Sequence, residues 1–243
     1  TEARRMIQDP KFKGFISNFV GQWLQLRRLE THAPHKGTFP QIGATTVDSM
    51  IKETESYALR IFREDRSLLE FLDSDWTYAN SDLSQLYKLP PVPGPKLQIV
   101  DLKGTNRGGL LTQASILALT SNPTRTSPVK RGKYVLEVIL GAAPPPAPPG
   151  AGTLSDAVEI VRNASIRDRL AAHRKNPECA SCHATMDGIG FALENFDASG
   201  AWRTQDGAFK VDPTGTLADG TKLDGVGTLK KALMDRKDEF IEA

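Results

Sequence analysis

Between Pro10 and Leu29 the apolar residues Phe12, Phe15, Ile16, Phe19, Val20, Trp23 and Leu24 recur at helical spacing with polar residues between them. That period predicts a helix facing a core. Val47, Met50, Ile51, Ala58, Ile61 and Phe62 repeat the pattern, and Asp65 with Arg66 precedes a third short helical run at 67–72. A bundle-like helical region is expected. Its aromatic stripes fit a core, and a cofactor-lining surface is the other use of the same residues.

Residues 75–96 then break into turns, with Asn80 or Ser81 as a helix cap and the Pro/Gly cluster at 90–95 as a loop. Alternation over 96–102 predicts a brief strand. A helix entered through a Gly turn is expected within 107–122, and another within 127–142 with Pro128 near its start. The run Ala142–Gly152 is different, because consecutive prolines fix φ and remove donors, giving an extended spacer. Helix resumes after Ser155 as cap. Beyond Asp197, Asp-Gly and Pro-Thr-Gly turns predict one or two hairpins, with Asp212, Asp219 and Asp224 serving turn chemistry because their spacing misses the calcium-loop pattern. A final amphipathic helix passes through Leu229, Leu233 and Phe240. The chain therefore reads as mainly α, with a helical region over 1–142, a spacer over 143–152 and a second region over 153–243.

Composition narrows the function classes. With 39% hydrophobic and 25% charged residues, the chain has a globular rather than disordered composition. The balance of 31 Lys and Arg against 29 Asp and Glu offers no nucleic-acid-binding charge, and no apolar run is long enough to cross a membrane. No phosphate-binding Gly loop, nucleophile elbow or zinc-protease helix occurs. Both chain ends lack clear start or stop signals, so a segment of a longer protein is expected.

The chemistry lies in one place. The only two cysteines stand in Cys179-Ala180-Ser181-Cys182-His183, the C-x-x-C-H pattern of covalent haem attachment. Spaced on one helical turn, the two thiols can reach two vinyl groups of one porphyrin, and the adjacent imidazole is carried under the ring to bind iron as proximal ligand. Three other readings use the same residues. A zinc site needs two further ligands, with only His32, His35 and His173 as other histidines. A redox dithiol needs a strand leading into the motif, and a disulfide here would close almost no loop.

The sixth iron ligand is open. Met186 lies three residues past His183, on the same helix and the same side of the ring. His173, ten residues upstream, is the candidate distal ligand, and equally a helix-end histidine at the dipole. Met234, His32 and His35 are more distant alternatives, as is a ligand from outside the chain. The approach is basic: Arg162, Arg167, Arg169, Arg174, Lys175 and Arg203 could pair with propionates or steer an acidic partner, or form a solvated face. Phe191, Leu193, Phe196 and Trp202 could cover a porphyrin edge or serve any core.

The stretches 107–149 and 173–207, including "HRKNPECASCHATMDGIGFALENFDASGAWRTQDG", resemble the large secreted c-type cytochromes first noticed in Planctomycetes, built from adjacent domains of unknown function. The segments "FISNFVGQWLQLRRL" and "DWTYANSDLSQLY" resemble the domain that precedes them. The resemblance implies that Cys179, Cys182 and His183 form a haem c motif, that the chain is exported, and that a further C-terminal domain follows. Members commonly carry proline where this chain has Gly188, which loosens the turn after Asp187. "MDGIGFALENFD" is also similar to the region after the haem motif in dihaem cytochrome c peroxidase relatives. The expected architecture is then a helical N-terminal region followed by a cytochrome c-like region with one covalent haem and a small β-hairpin. The leading function is extracytoplasmic (periplasmic) electron transfer with a redox protein partner or within a larger membrane-associated complex. A peroxidase-type haem enzyme, with Glu194 or His173 as distal acid/base, and a structural haem-bearing subunit are the alternatives.

Overall fold

The computed structural model describes residues 1–145, 164–174 and 177–243, without the side chains of residues 172, 173, 177–179, 181 and 182. Among them are ten α-helices and three two-stranded antiparallel sheets, so the chain is mainly α with small β hairpins. It divides into two units. The first comprises 1–126, 196–202 and 233–241, and the second 127–195, 203–232 and 242–243. Most of the Pro-rich run and the Ser155 cap lie outside the described residues.

In the first unit, helix α1 (Glu2–Gln8) and helix α2 (Phe12–Trp23) lead to the long helix α3 (Ala44–Arg63). The α2 helix stops earlier than its periodicity predicts, because Gln25 adopts a left-handed conformation at φ 58° and Leu26–Glu30 tighten into a 3₁₀ turn. Its core face is narrower too: Ile16, Val20 and Leu24 are buried, whereas Phe15 and Phe19 are 55% and 41% exposed. Phe12, Phe15, Phe19 and Trp23 stack in sequence along the helix as a ridge beside the buried stripe, with ring centroids 5.4–5.9 Å apart.

After a 3₁₀ turn at Leu68–Phe71, strand β1 (Trp76–Ala79) falls where turns are expected and pairs with β2 (Gln98–Asp101), the foreseen strand, Trp76 facing Asp101 and Ala79 facing Gln98. Helix α4 (Ser81–Tyr87) starts as predicted at Asn80, whose Oδ1 accepts from Leu83 N at 3.1 Å. Helix α5 (Ala114–Leu119) is wholly buried.

A polar network runs through this unit. Glu53 on α3 is fully buried, and its carboxylate accepts from Thr77 Oγ1 at 2.7 Å and Tyr87 Oη at 2.5 Å. Arg107 lies 3.9 Å over the Tyr87 ring and donates to the Thr112 and Gly200 carbonyls. Burial pushes the Glu53 carboxyl up from 4.5 to about 7, against the opposing pull of the Tyr87 and Thr77 hydrogen bonds and the Arg107 charge. Folding therefore favours the protonated acid. The contribution is complete below pH 4.5 and is lost as pH rises through about 7, roughly 3 kcal/mol in all. Urea unfolding across this range should show stability falling with pH in wild type and a flatter profile in Glu53→Gln. Equal slopes would exclude Glu53 as the source.

In the second unit, helix α6 (Pro128–Tyr134) begins at Ser127, whose Oγ accepts from Lys130 N, and runs into a π-helical turn at Val135–Ile139. Helix α7 (Ile166–His173) precedes helix α8 (Pro177–Phe191). Three glycine contacts fix α8. Added Cβ atoms at Gly132 and Gly190 would lie 2.0 Å from the Met186 carbonyl oxygen and 1.9 Å from that of Pro128, so α6 and α8 cross backbone against backbone. On another side of α8, Gly188 packs against Gly215 and Thr216 of strand β5 (Thr214–Thr216). The expected turn after Asp187 is thus absent: α8 continues to Phe191, and Gly188 is the position where β5 reaches it.

The hairpins form as foreseen. Strand β3 (Gln205–Asp206) pairs with β4 (Phe209–Lys210), and β5 with β6 (Lys222–Asp224). Asp212 Oδ1 accepts from Thr214 N at 3.0 Å, and Asp219 Oδ1 from Thr221 N at 2.8 Å, the turn chemistry expected of them. The final helix divides in two, α9 (Gly225–Asp235) and α10 (Lys237–Glu242).

Candidate functional site

Helix α8 carries Cys179, Cys182 and His183 in its first two turns. The cysteine side chains lie outside the described residues, as does that of the candidate distal ligand His173 at the end of α7. His183 is described and buried at 8% exposure, on the wall of a cavity of about 620 Å³. That volume falls in the range of cofactor and ligand sites. The same α8 face supplies Asp187, Gly188 and Phe191, the β5–β6 hairpin supplies the opposing wall with Lys222, and Arg167 and Arg174 come from the α7 region.

One helical turn separates His183 from Asp187, and His183 Nδ1 lies 2.9 Å from Asp187 Oδ1. A carboxylate can only accept, so Nδ1 carries the proton that is shared. With Nδ1 committed, Nε2 is the nitrogen that would bind iron. Asp187 is 2% exposed; its Oδ2 makes no hydrogen bond to a described residue and lies 3.6 Å from Arg174 Nε. Its pairing with His183 went unnoticed in the sequence, although the His-x-x-x-Asp spacing is a visible signal for such a pair on a helix.

The other candidates are dispersed. Arg167 forms an ion pair with Asp212 at 2.9 Å, donates to the Asp212 and Thr214 carbonyls, and lies 3.9 Å over the Phe191 ring. It lines the cavity as a braced cation. Arg203 is taken up by Glu194 at 2.9 Å and Asp206 at 2.6 Å, and Arg169 Nε donates to the Ala164 carbonyl. Arg162 and Lys175 lie outside the described residues. Glu194 is 2% exposed, with Oε1 3.1 Å from Arg131 and Oε2 2.9 Å from Arg203, so it serves as a buried ion-pair centre and not as a free acid/base.

Met186 lies on α8 with His183, as the spacing predicts, and is buried where the helix meets Gly132. Phe191 lines the cavity, whereas Phe196 and Trp202 belong to the first unit, edge to face at 5.1 Å. His32, His35 and Met234 also belong to the first unit. There His32 Nε2 lies 2.7 Å from the Ser121 carbonyl oxygen, and His35 Nδ1 lies 3.4 Å from Thr38 Oγ1.

Among the described residues the cavity offers a buried imidazole with a carboxylate behind it and cations at the wall, a set compatible with haem; Cys179 and Cys182 stand on the same helix, four and one residues before His183. No described helix is long and apolar enough to cross a membrane. No curated protein and no solved structure matches the chain. Residues 1–89 match the family described as PSD4, protein of unknown function (DUF1592), and residues 107–206 match that described as PSCyt3, protein of unknown function (DUF1588). The chain therefore carries a DUF1592 domain followed by a DUF1588 domain, two planctomycete-type, cytochrome c-associated domains of unknown function.

Proposed function

We propose that this chain is the haem-bearing part of a c-type cytochrome that transfers electrons outside the cytoplasm, to a redox protein partner or within a larger complex. The supporting observation is the C-x-x-C-H motif on α8 with His183 buried against a cavity of about 620 Å³ and its Nδ1 tied to Asp187. Cys179 and Cys182 would add their S–H groups across two porphyrin vinyls, forming thioethers that prevent loss of the group during partner exchange. His183 would bind the iron through Nε2. Lys222, a cation at the cavity wall, would meet the propionates, with Arg167 adding charge from its braced position. Phe191 would exclude water from one edge. When bound, haem supplies one-electron Fe(II)/Fe(III) chemistry.

The His183–Asp187 pair also favours a second reading, a peroxidase-type haem enzyme, since a carboxylate behind the proximal imidazole makes it a stronger donor to iron. Against it, Glu194 is held between Arg131 and Arg203, which leaves His173 as the sequence-derived candidate for distal acid/base work.

Expression in a periplasm equipped for cytochrome c maturation tests the assignment. The purified protein should show a Soret band and the pyridine haemochrome spectrum of thioether-linked haem, and Cys179→Ala/Cys182→Ala should release any haem to acidified acetone. A protein without a Soret band under these conditions overturns the proposal. Slow cyanide and carbon monoxide binding without peroxide turnover is the electron-carrier result. Fast binding with turnover selects the enzyme.

A further inference from the structure

Asp187 is an expensive residue where it stands. A carboxylate at 2% exposure loses its hydration, and among the described residues Oδ2 recovers none of it through a hydrogen bond, with Arg174 Nε at 3.6 Å. Asparagine or a small apolar residue would serve the α8 packing at lower cost. What the carboxylate does provide is the 2.9 Å contact to His183 Nδ1. The helix beneath the pair is fixed by main-chain contacts at Gly132, Gly188 and Gly190, so the two side chains are held on a rigid support.

From this geometry we propose that Asp187 is a positioning residue for the axial histidine: it fixes the ring orientation and strengthens His183 as a donor, holding the haem iron at a lower potential than a neutral acceptor would. The inference rests on the haem reading above. Its chemistry is that of a ligand's outer partner. A carboxylate accepting the Nδ1 proton pushes electron density onto Nε2 and places negative charge one imidazole away from the metal, and both effects favour Fe(III) over Fe(II). Arg174 is the counterweight, offsetting part of that charge from the other carboxylate oxygen.

Spectroelectrochemical titration of the haem-loaded protein and its variants tests this. Asp187→Asn keeps the shape and a hydrogen-bonding oxygen but removes the charge. It should retain stoichiometric haem while shifting the Fe(II)/Fe(III) ratio at a fixed poise by roughly tenfold toward Fe(II), 59 mV for one electron. Arg174→Gln should shift it the opposite way by a smaller factor. A merely structural role for Asp187 would alter haem content or unfolding without moving the potential of the haem that remains. Haem-loaded Asp187→Asn at the wild-type potential overturns the inference and leaves the haem assignment standing. A wild-type protein that takes up no haem overturns the assignment itself. If Asp187→Asn does not accumulate, Arg174→Gln decides: a shift toward Fe(III) supports the coupling, and an unchanged potential removes it.

Discussion

Glu194→Gln should destabilise the second unit by about 3–5 kcal/mol, the cost of breaking a buried ion pair from one side. Arg131 is 1% exposed, one of the largest fully buried side chains described, and its guanidinium donates to Glu194 Oε1 at 3.1 Å and to the Leu193 carbonyl at 2.7 Å. Glu194 reaches Arg203 with its other oxygen. The amide is isosteric, but it turns one acceptor into a donor that faces an arginine and removes the negative charge set between Arg131 and Arg203. Thermal unfolding followed by circular dichroism should show a midpoint lower by roughly 10 °C for a chain of this size. Arg203→Gln should cost less, because Arg203 is 16% exposed and water can replace part of what it supplies. A Glu194→Gln protein within 1 kcal/mol of wild type would show that the pair is not carrying buried charge.

The second large effect is expected from one methyl group. Gly190→Ala would place a Cβ 1.9 Å from the Pro128 carbonyl oxygen and 2.4 Å from its carbon, and no rotamer can relieve a clash with backbone. Helix α6 would have to withdraw along its contact with α8, opening the packing at Gly132 as well. A loss of at least about 3 kcal/mol follows, at the upper end of overpacking costs. The control is Gly14→Ala on exposed α2, where nothing lies within 4 Å of the new Cβ. There the change should stabilise by about 0.5–1 kcal/mol through helix propensity alone. Denaturant midpoints for the two variants should move in opposite directions. Similar midpoints would contradict the close crossing.

These residues also mark how far the sequence could be read. Periodicity located α2 and α3 but misjudged Phe15 and Phe19, because a ridge at i, i+3 and i+4 beside the buried stripe has the same period as the stripe. Strand β1 was hidden by its length of four residues among turn formers and by a partner that arrives only at Gln98. The C-x-x-C-H run was legible because local spacing is the whole of its signal. Asp187 was equally local but was read only as the residue before a turn. Arg203 and Glu194 could not have been assigned, since which charge neutralises which depends on the α6–α8 crossing that brings Arg131 to Glu194.

That crossing bears on the proposed electron transfer. Side-chain packing can adjust through rotamers when the charge on a nearby centre changes, whereas carbonyl against glycine has nothing to rotate. Helix α8 is held in this way at Gly132, Gly188 and Gly190, on either side of the turn that bears Asp187. An axial histidine on such a helix would keep nearly the same position in both oxidation states. The reorganisation energy contributed by the protein would then be small, leaving the solvent and the partner's approach to set the rate.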